Sequence, residues 1–189
     1  MASHYVDIHL RPDPEVAPHQ LMGSLYGRLH RALVQLDQQD IGVSFPEHDE
    51  RKPSLGIHLR LHGSEASLRH LAESTWLHGI HDHVRIGASA PTPDDSKHRI
   101  VSRVQAKSNV DRLRRRAMKR HGLSEEEASK RIPASAEDRL HLPFVTIGSR
   151  STGQPAFPLF IRHGPLLEHA SEWNFNAYGL SRQATVAWF

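Results

Sequence analysis

The densest run of chemically active side chains in this 189-residue chain lies between residues 101 and 121. The only acid in that run is Asp111, whereas eight side chains are cationic. Guanidinium and ammonium groups at this density attract a polyanion, and a nucleic-acid duplex with regularly spaced phosphates is the commonest one. The cations are Arg103, Lys107, Arg112, Arg114, Arg115, Arg116, Lys119 and Arg120.

An α-helix would place most of these cations on one face, since they recur at i, i+3, i+4, i+7 and i+8. Asn109 is expected to cap its start and Gly122 to end it. A solvated surface helix is the alternative, but five like charges on one face repel each other. The cationic face would hold Arg112, Arg115, Arg116, Lys119 and Arg120, and the apolar face Val110, Leu113, Ala117 and Met118.

Arg103 and Gln105 precede this helix at positions i and i+2. In an extended segment both side chains point to the same side. A guanidinium suits the O6 and N7 atoms of guanine, and a glutamine amide suits N6 and N7 of adenine. The pair therefore has the chemistry to read bases.

The chain contains sixteen histidines and no cysteine, so histidine is its main candidate for acid–base chemistry. An imidazole titrates near neutral pH and suits general-base work, but composition alone does not select one of the sixteen. The absence of cysteine excludes disulfides, thiolate catalysis and cysteine zinc sites. The HGIHDH run (His78, His81, His83) lacks a recognised ligand spacing, so we predict no metal site and no cofactor.

The positive charge is local. Residues 97–121 carry ten Lys or Arg and one acid, whereas the rest carries fourteen and twenty, which gives the net charge of +3. This pattern fits a defined nucleic-acid footprint better than a basic tail. We see no signal peptide and no apolar segment approaching about eighteen residues, so we expect a cytoplasmic protein without a membrane span.

Hydrophobic periodicity predicts a mixed α+β chain. Residues 4–10 alternate between apolar and polar, which is typical of a half-buried strand, and a helix is predicted over residues 18–36. The order over the first 87 or so residues is β-α-β-β-α-β, the ferredoxin-like arrangement. The remaining elements of this half are strands at 41–45, 57–61 and 83–86 and a helix capped by Ser64 that runs to about residue 75.

Residues 88–96 look like a linker or exposed loop, which suggests a ferredoxin-like domain over 1–96 and a second α/β region over 97–189. The second region would carry the arginine-rich helix at about 109–121. Ser124 and Glu127 form a capping box that opens a further short helix. The strands predicted here cover residues 100–104, 144–149, 157–163 and 177–180.

Several long motifs occur in an order that resembles one family, nearly from end to end. The chain resembles the CRISPR-associated endoribonucleases of type I-F systems, which cut the repeat hairpin of precursor guide RNA. The motifs are HLRPDPE, IGVSFP, SRVQAKSN followed by RLRRR, SEEEASKRIP, LPFVT with STGQ, LFIRHGP, and YGLS before a terminal WF.

The resemblance implies a metal-independent enzyme. The 2′-OH of the substrate would attack the adjacent phosphate, leaving a 2′,3′-cyclic phosphate and a 5′-OH, and the protein would stay bound to its product. It also implies that the partners are a repeat hairpin and other subunits of a guide-RNA complex. An inactive RNA-hairpin-binding subunit and a DNA-binding regulator remain the alternatives.

The same resemblance implies roles for individual residues. His30 would be the general base, Ser149 would hold the 2′-OH or the scissile phosphate, and Tyr178 would orient the imidazole. Ser151 would contact the same phosphate region. Arg103 and Gln105 would read bases near the cut, and Phe157 would stack on the end of the stem. The backbone of the hairpin would meet Lys107, Arg112, Arg115, Arg116, Lys119 and Arg120.

Overall fold

The computed structural model describes residues 3–105, 110–133, 140–148 and 156–189, with residues 111 and 112 described as backbone. The chain forms two compact units. The first joins Met1–Val104 with Leu142–Phe189, and the second is Gln105–His141. The predicted domain boundary at residues 96 and 97 stays a prediction.

The first sheet is built from the N-terminal third of the chain. Its strand order is β2-β3-β1-β4, and β5 also pairs with β1. Every pairing in this sheet is antiparallel. The strands are β1 (His4–Leu10), β2 (Gly42–Ser44), β3 (His58–Gly63), β4 (Val84–Ile86) and β5 (Ala90–Pro91).

Helix α1 spans Pro18–Gln35 and connects β1 to β2, while α2 spans Glu65–Glu73 and follows β3. Proline suits the start of α1, because the first N–H groups of a helix have no intrahelical partner. The Ser64 hydroxyl accepts a hydrogen bond from the Ser67 N–H and caps α2, which confirms the predicted cap.

The second sheet has the strand order β7-β8-β6-β9 and is also antiparallel. Helix α1 packs against both β1 and β7, so a single core joins the two sheets of the first unit. The approach of α1 to β7 is close, since a Cβ added at Gly23 would lie 2.7 Å from the Thr146 carbonyl oxygen. The strands are β6 (Lys97–Val104), β7 (Phe144–Ile147), β8 (Phe157–His163) and β9 (Thr185–Trp188).

The second unit contains α3 (Val110–His121) and α4 (Glu125–Arg131), which pack against each other. Gly122 has φ 63° just after α3, as expected of a C-terminal cap. The capping box predicted at Ser124 and Glu127 is confirmed. Among the described residues, no helix is long and apolar enough to cross a membrane.

Two local predictions were wrong, and one strand was not predicted. The segment at 88–96 is not only a loop, because Ala90 and Pro91 form β5 against Tyr5 and His4. Residues 177–180 form a turn instead of a strand, because Gly179 has φ 68°. The final strand β9 was missed, because its four residues are apolar or β-branched without the alternation of a half-buried strand.

Two buried histidines are expected to lower the stability of the first unit in acid. His62 is completely buried and shares a hydrogen bond with the Ser44 hydroxyl, with 2.8 Å between Nε2 and Oγ. Burial lowers the pKa of His62 to about 3. Burial, with the nearby charges of His48 and Arg99, lowers the pKa of His163 to about 2. Both rings are therefore neutral in the folded protein at pH values where the unfolded chain protonates them.

We expect the free energy of unfolding to fall as the pH falls from about 6.5 towards 3. In that window the unfolded state binds more protons than the native state, which favours unfolding by about 1.4 kcal/mol per pH unit for each such histidine. Urea unfolding at a series of pH values measures this slope. The exposed His81 gives a control, since His81→Ala should leave the slope unchanged. A stability that is flat between pH 6 and 4 would contradict the assignment.

Candidate active site

His30 is fixed in a defined tautomer on helix α1. It follows Leu29, which is completely buried, and so lies half-buried at the edge of the core-facing side. Its Nδ1 lies 2.8 Å from the Ala177 carbonyl oxygen. A carbonyl only accepts hydrogen bonds, so Nδ1 carries the hydrogen and Nε2 of the neutral ring carries the lone pair. The ring is therefore set up to accept a proton at Nε2.

Tyr178 lies flat against this imidazole. The two ring centroids are 3.8 Å apart and the planes differ by 9°. The stack fixes the plane of the imidazole, and the hydrogen bond to Ala177 fixes its rotation within that plane. Together they determine the direction in which Nε2 points.

The turn that presents Tyr178 is held by its neighbour Asn176. The Asn176 Oδ1 accepts from the N–H of Tyr178 at 2.8 Å and from that of Leu180 at 3.3 Å. Gly179 has φ 68°, and a Cβ there would lie 2.7 Å from the Val43 side chain. Only glycine meets both conditions without strain, so the sequence at this point encodes a tight turn.

Tyr26 on α1 also holds this turn in place. The sequence analysis did not identify Tyr26 as a site residue. Its hydroxyl donates to the Tyr178 carbonyl oxygen at 2.6 Å. Burial raises the pKa of Tyr26 well above its ordinary value, so the hydroxyl stays protonated and remains a donor. The available signal was its position four residues before His30, which puts both side chains on the same side of α1.

Arg103, near the end of β6, reaches the same cluster. Its guanidinium carbon lies 5.9 Å from the Tyr178 ring centroid and 5.7 Å from that of Phe157. These distances are within the range of a cation–π contact. The structure thus brings together four of the residues singled out from the sequence: His30, Arg103, Phe157 and Tyr178.

The other predicted catalytic and phosphate-binding residues of this region fall outside the described chain, namely Ser149, Ser151 and Lys107. The described part of β7 ends beside α1, however. The Ile147 side chain would lie 3.8 Å from a Cβ placed at Gly27, which is one helical turn before His30. The strand that leads towards Ser149 therefore runs against the helix that carries His30.

The second unit presents four of the described cations of α3 to solvent. Arg114 is half-buried and its Nε donates to the Ile132 carbonyl oxygen at 2.9 Å, which ties α3 to the end of α4. Gln105 is exposed, and Arg112 lies in α3 with its side chain outside the described set. The exposed cations are Arg115, Arg116, Lys119 and Arg120.

Comparison with known proteins identifies the class to which this chain belongs. Residues 5–189 match the family described as CRISPR-associated protein (Cas_Csy4), and the chain is a member of that family.

Two relatives align over nearly their whole length. The CRISPR-associated endonuclease Cas6/Csy4 of Pseudomonas aeruginosa (strain UCBPP-PA14) is 56% identical over 186 residues, which is 98% of this chain and 99% of the relative. The protein of the same name from Escherichia coli (strain UTI89 / UPEC) is 45% identical over the same shares of both chains. The family resemblance read from the motifs is confirmed.

Proposed function

We propose that the protein is a sequence- and structure-specific endoribonuclease that processes precursor guide RNA by cutting its CRISPR repeat hairpin without a metal ion. Both relatives are named as endonucleases, which supports the nuclease activity. The observation that carries the proposal is the geometry of His30, whose Nδ1 is hydrogen-bonded to a backbone carbonyl while its ring is stacked on Tyr178.

His30 acts as the general base through Nε2. It removes the proton of the substrate 2′-OH, the 2′ oxygen forms a bond to the adjacent phosphorus, and the bond from phosphorus to the 5′ oxygen breaks. The leaving 5′ oxygen takes up a proton from water, and His30 returns its proton to solvent. The products are therefore a 2′,3′-cyclic phosphate and a 5′-OH. The nucleophile is the substrate's own hydroxyl and the base is His30, so no step of this reaction uses an added ion.

Both contacts of His30 can persist when this step protonates its ring. Protonation at Nε2 makes the Nδ1–H more positive, which strengthens its bond to the Ala177 carbonyl. The face of the Tyr178 ring also attracts a cation stacked on it. Tyr178 is a positioning residue, because its stack fixes the plane of the imidazole. Tyr26 holds Tyr178 in place through the hydrogen bond to its carbonyl oxygen.

Ser149 would hold the 2′-OH or the scissile phosphate, and Ser151 would contact the same phosphate region. The path of β7 along α1 supports this assignment, because Ile147 lies two residues before Ser149 and packs near Gly27. A hydroxyl supplied there would face the substrate beside His30.

Arg103 and Gln105 would read bases next to the cut, and Phe157 would stack on the end of the stem. The closeness of Arg103 to Tyr178 and Phe157 supports a role at the cut site. Stacking of an aromatic side chain on a base is worth about 1–3 kcal/mol.

Helix α3 would be the arginine-rich RNA-binding helix in the major groove of the hairpin. The A-form major groove is narrow, so we expect mainly phosphate contacts. The residues that would make them are Lys107, Arg112, Arg115, Arg116, Lys119 and Arg120. We further infer that the order β2-β3-β1-β4 with its two connecting helices is a ferredoxin-like arrangement, and that the protein stays on its product within a larger guide-RNA complex.

Incubation of the protein with the repeat RNA of its own host tests the proposal. We expect a single cut at the 3′ base of the stem, whereas a hairpin with a scrambled stem should remain intact. A DNA hairpin of the same sequence should also remain intact. Tight binding of the repeat without a cut would favour the alternative of a non-catalytic hairpin-binding subunit.

The role of α3 predicts a distinctive salt dependence of binding. Each phosphate contact releases condensed counterions, so the double variant Arg115→Ala with Arg116→Ala should weaken binding to any hairpin. It should also flatten the slope of log K against log salt concentration by about 1.5. Titrations at several salt concentrations measure this slope.

Arg103→Ala provides the contrasting variant. It should cost about 1–3 kcal/mol with the correct stem only and leave the salt slope nearly unchanged, because it reads a base instead of a phosphate. If the double variant of α3 binds RNA as the unmodified protein does, the cationic face of that helix is merely solvated.

A further inference from the structure

Three potential metal ligands meet beside the first sheet, outside both the cationic run at 101–121 and the cluster around His30. They are His9, Glu47 and His58, and one ligand atom of each lies within 4.8 Å of the other two. Among the described residues, no other group of three histidine or carboxylate side chains is compact enough to hold an ion. The HGIHDH run contributes nothing to it.

Strand register creates the histidine pair. His9 on β1 lies directly opposite His58 on β3, so their side chains emerge on the same face of the sheet. The two rings stack with centroids 4.1 Å apart and planes 24° apart. Two neighbouring imidazoles supply the two histidine nitrogens found in many zinc sites.

Glu47 is brought to this pair by the loop between β2 and β3. Its Oε2 accepts a hydrogen bond from the Ile57 N–H at 3.2 Å, which holds the carboxylate next to the start of β3. Gly56 has φ 73°, and a Cβ there would lie 2.5 Å from the Glu47 Cβ. The loop therefore closes against Glu47 only because residue 56 is glycine.

His58 also has the support that metal-bound histidines require. Its Nε2 lies 2.8 Å from Asp7 Oδ1, so Nε2 donates and the lone pair of the neutral ring is on Nδ1. A carboxylate that fixes the tautomer and orientation of a histidine is the usual outer partner of a zinc ligand. Asp7 is itself held by Arg60, with 2.7 Å between Oδ1 and Nε.

We propose that His9, Glu47 and His58 bind one divalent transition-metal ion of the zinc type. Two imidazole nitrogens and one carboxylate oxygen suit Zn²⁺, and a water molecule would complete a tetrahedral site. Binding has to open the stack of the two rings until their lone pairs converge on the ion. The site is separate from the RNA-cleavage proposal and does not depend on it.

The ion would act as a structural clamp. It would join the β2–β3 loop to β1 and β3, three segments that are otherwise linked here by backbone hydrogen bonds and side-chain contacts. Because an ion that binds only the folded state shifts the equilibrium towards that state, it should raise the melting temperature. Cleavage in EDTA should persist at temperatures where the metal-free protein is still folded.

Titration of the full, untagged chain with Zn²⁺ tests the site, after treatment with EDTA and removal of the chelator. At pH 7.5 we expect one equivalent to bind by calorimetry, with movement of the imidazole NMR signals of His9 and His58. A hundredfold excess of Zn²⁺ over the dissociation constant should raise the melting temperature by roughly 5–10 °C.

Two variants identify the ligands. His9→Ala and Glu47→Gln should each weaken binding of the stoichiometric ion by at least about tenfold. His81→Ala, which removes an exposed histidine outside the cluster, should bind as the unmodified protein does. The proposal is overturned if no stoichiometric Zn²⁺ binds, if both ligand variants retain full affinity, or if the His9 and His58 signals do not move.

Discussion

A repeat hairpin that lacks a single 2′-OH, on the nucleotide just before the scissile phosphate, should bind the protein normally and remain uncut. The proposed mechanism uses that hydroxyl as its only nucleophile. Replacing it with hydrogen therefore leaves no group to attack the phosphorus. Binding should hardly change, because we assign most of the affinity to phosphate contacts along the stem.

The matched control for this substrate is a hairpin with the same substitution one nucleotide away, which should be cut at the normal rate. Single-turnover assays with end-labelled RNA measure both rates, and a filter-binding assay measures both affinities. Cutting of the deoxy substrate would mean that water is the nucleophile and would exclude the mechanism proposed here.

Replacing His30 with alanine should slow cleavage by about 10²–10⁴-fold, the usual contribution of a positioned acid or base. The physical reason is the geometry of its ring, with Nδ1 bonded to Ala177 and Nε2 left to accept a proton. Affinity for the hairpin should change little, because a neutral imidazole contributes few phosphate contacts. Single-turnover rates at saturating protein separate the two effects.

His19 offers a matched control for this substitution. It lies on the same helix and is exposed, so His19→Ala removes an imidazole of α1 without touching the stack on Tyr178. We expect it to cleave at the unmodified rate. A normal rate for His30→Ala would show that another histidine is the base.

Much of the secondary structure was predictable because its signals are local. The strands β1 and β8 have the predicted bounds, and the caps at Ser64 and Ser124 were identified from their neighbours in sequence. Such features depend on a few adjacent residues, which a reader of the sequence sees directly.

The turn at Tyr178 was not predictable in the same way. Residues 177–180 are apolar or small, as in a short strand. Their sequence does not indicate that Gly179 adopts a positive φ. Its conformation follows from packing against Val43, which is far away in sequence. Long-range packing overrode the local pattern.

The candidate active site was found from the sequence only with the help of the family resemblance. Periodicity puts His30 on a helix, but each of the fifteen other histidines could equally serve as a general base. Tyr26 was missed because a buried tyrosine on a helix looks like an ordinary core residue. The His9, Glu47 and His58 cluster was missed because it depends on the register of β1 against β3.

Analysis of the RNA ends after cleavage in EDTA tests the attack by the 2′-OH most directly. The protein is mixed in excess with its host's repeat hairpin, and the two fragments are examined by mass spectrometry. The proposed mechanism gives one cut, with a 2′,3′-cyclic phosphate on the upstream fragment and a 5′-OH on the downstream fragment. A strict requirement for Mg²⁺, or an upstream fragment that ends in a 3′-OH, would contradict it.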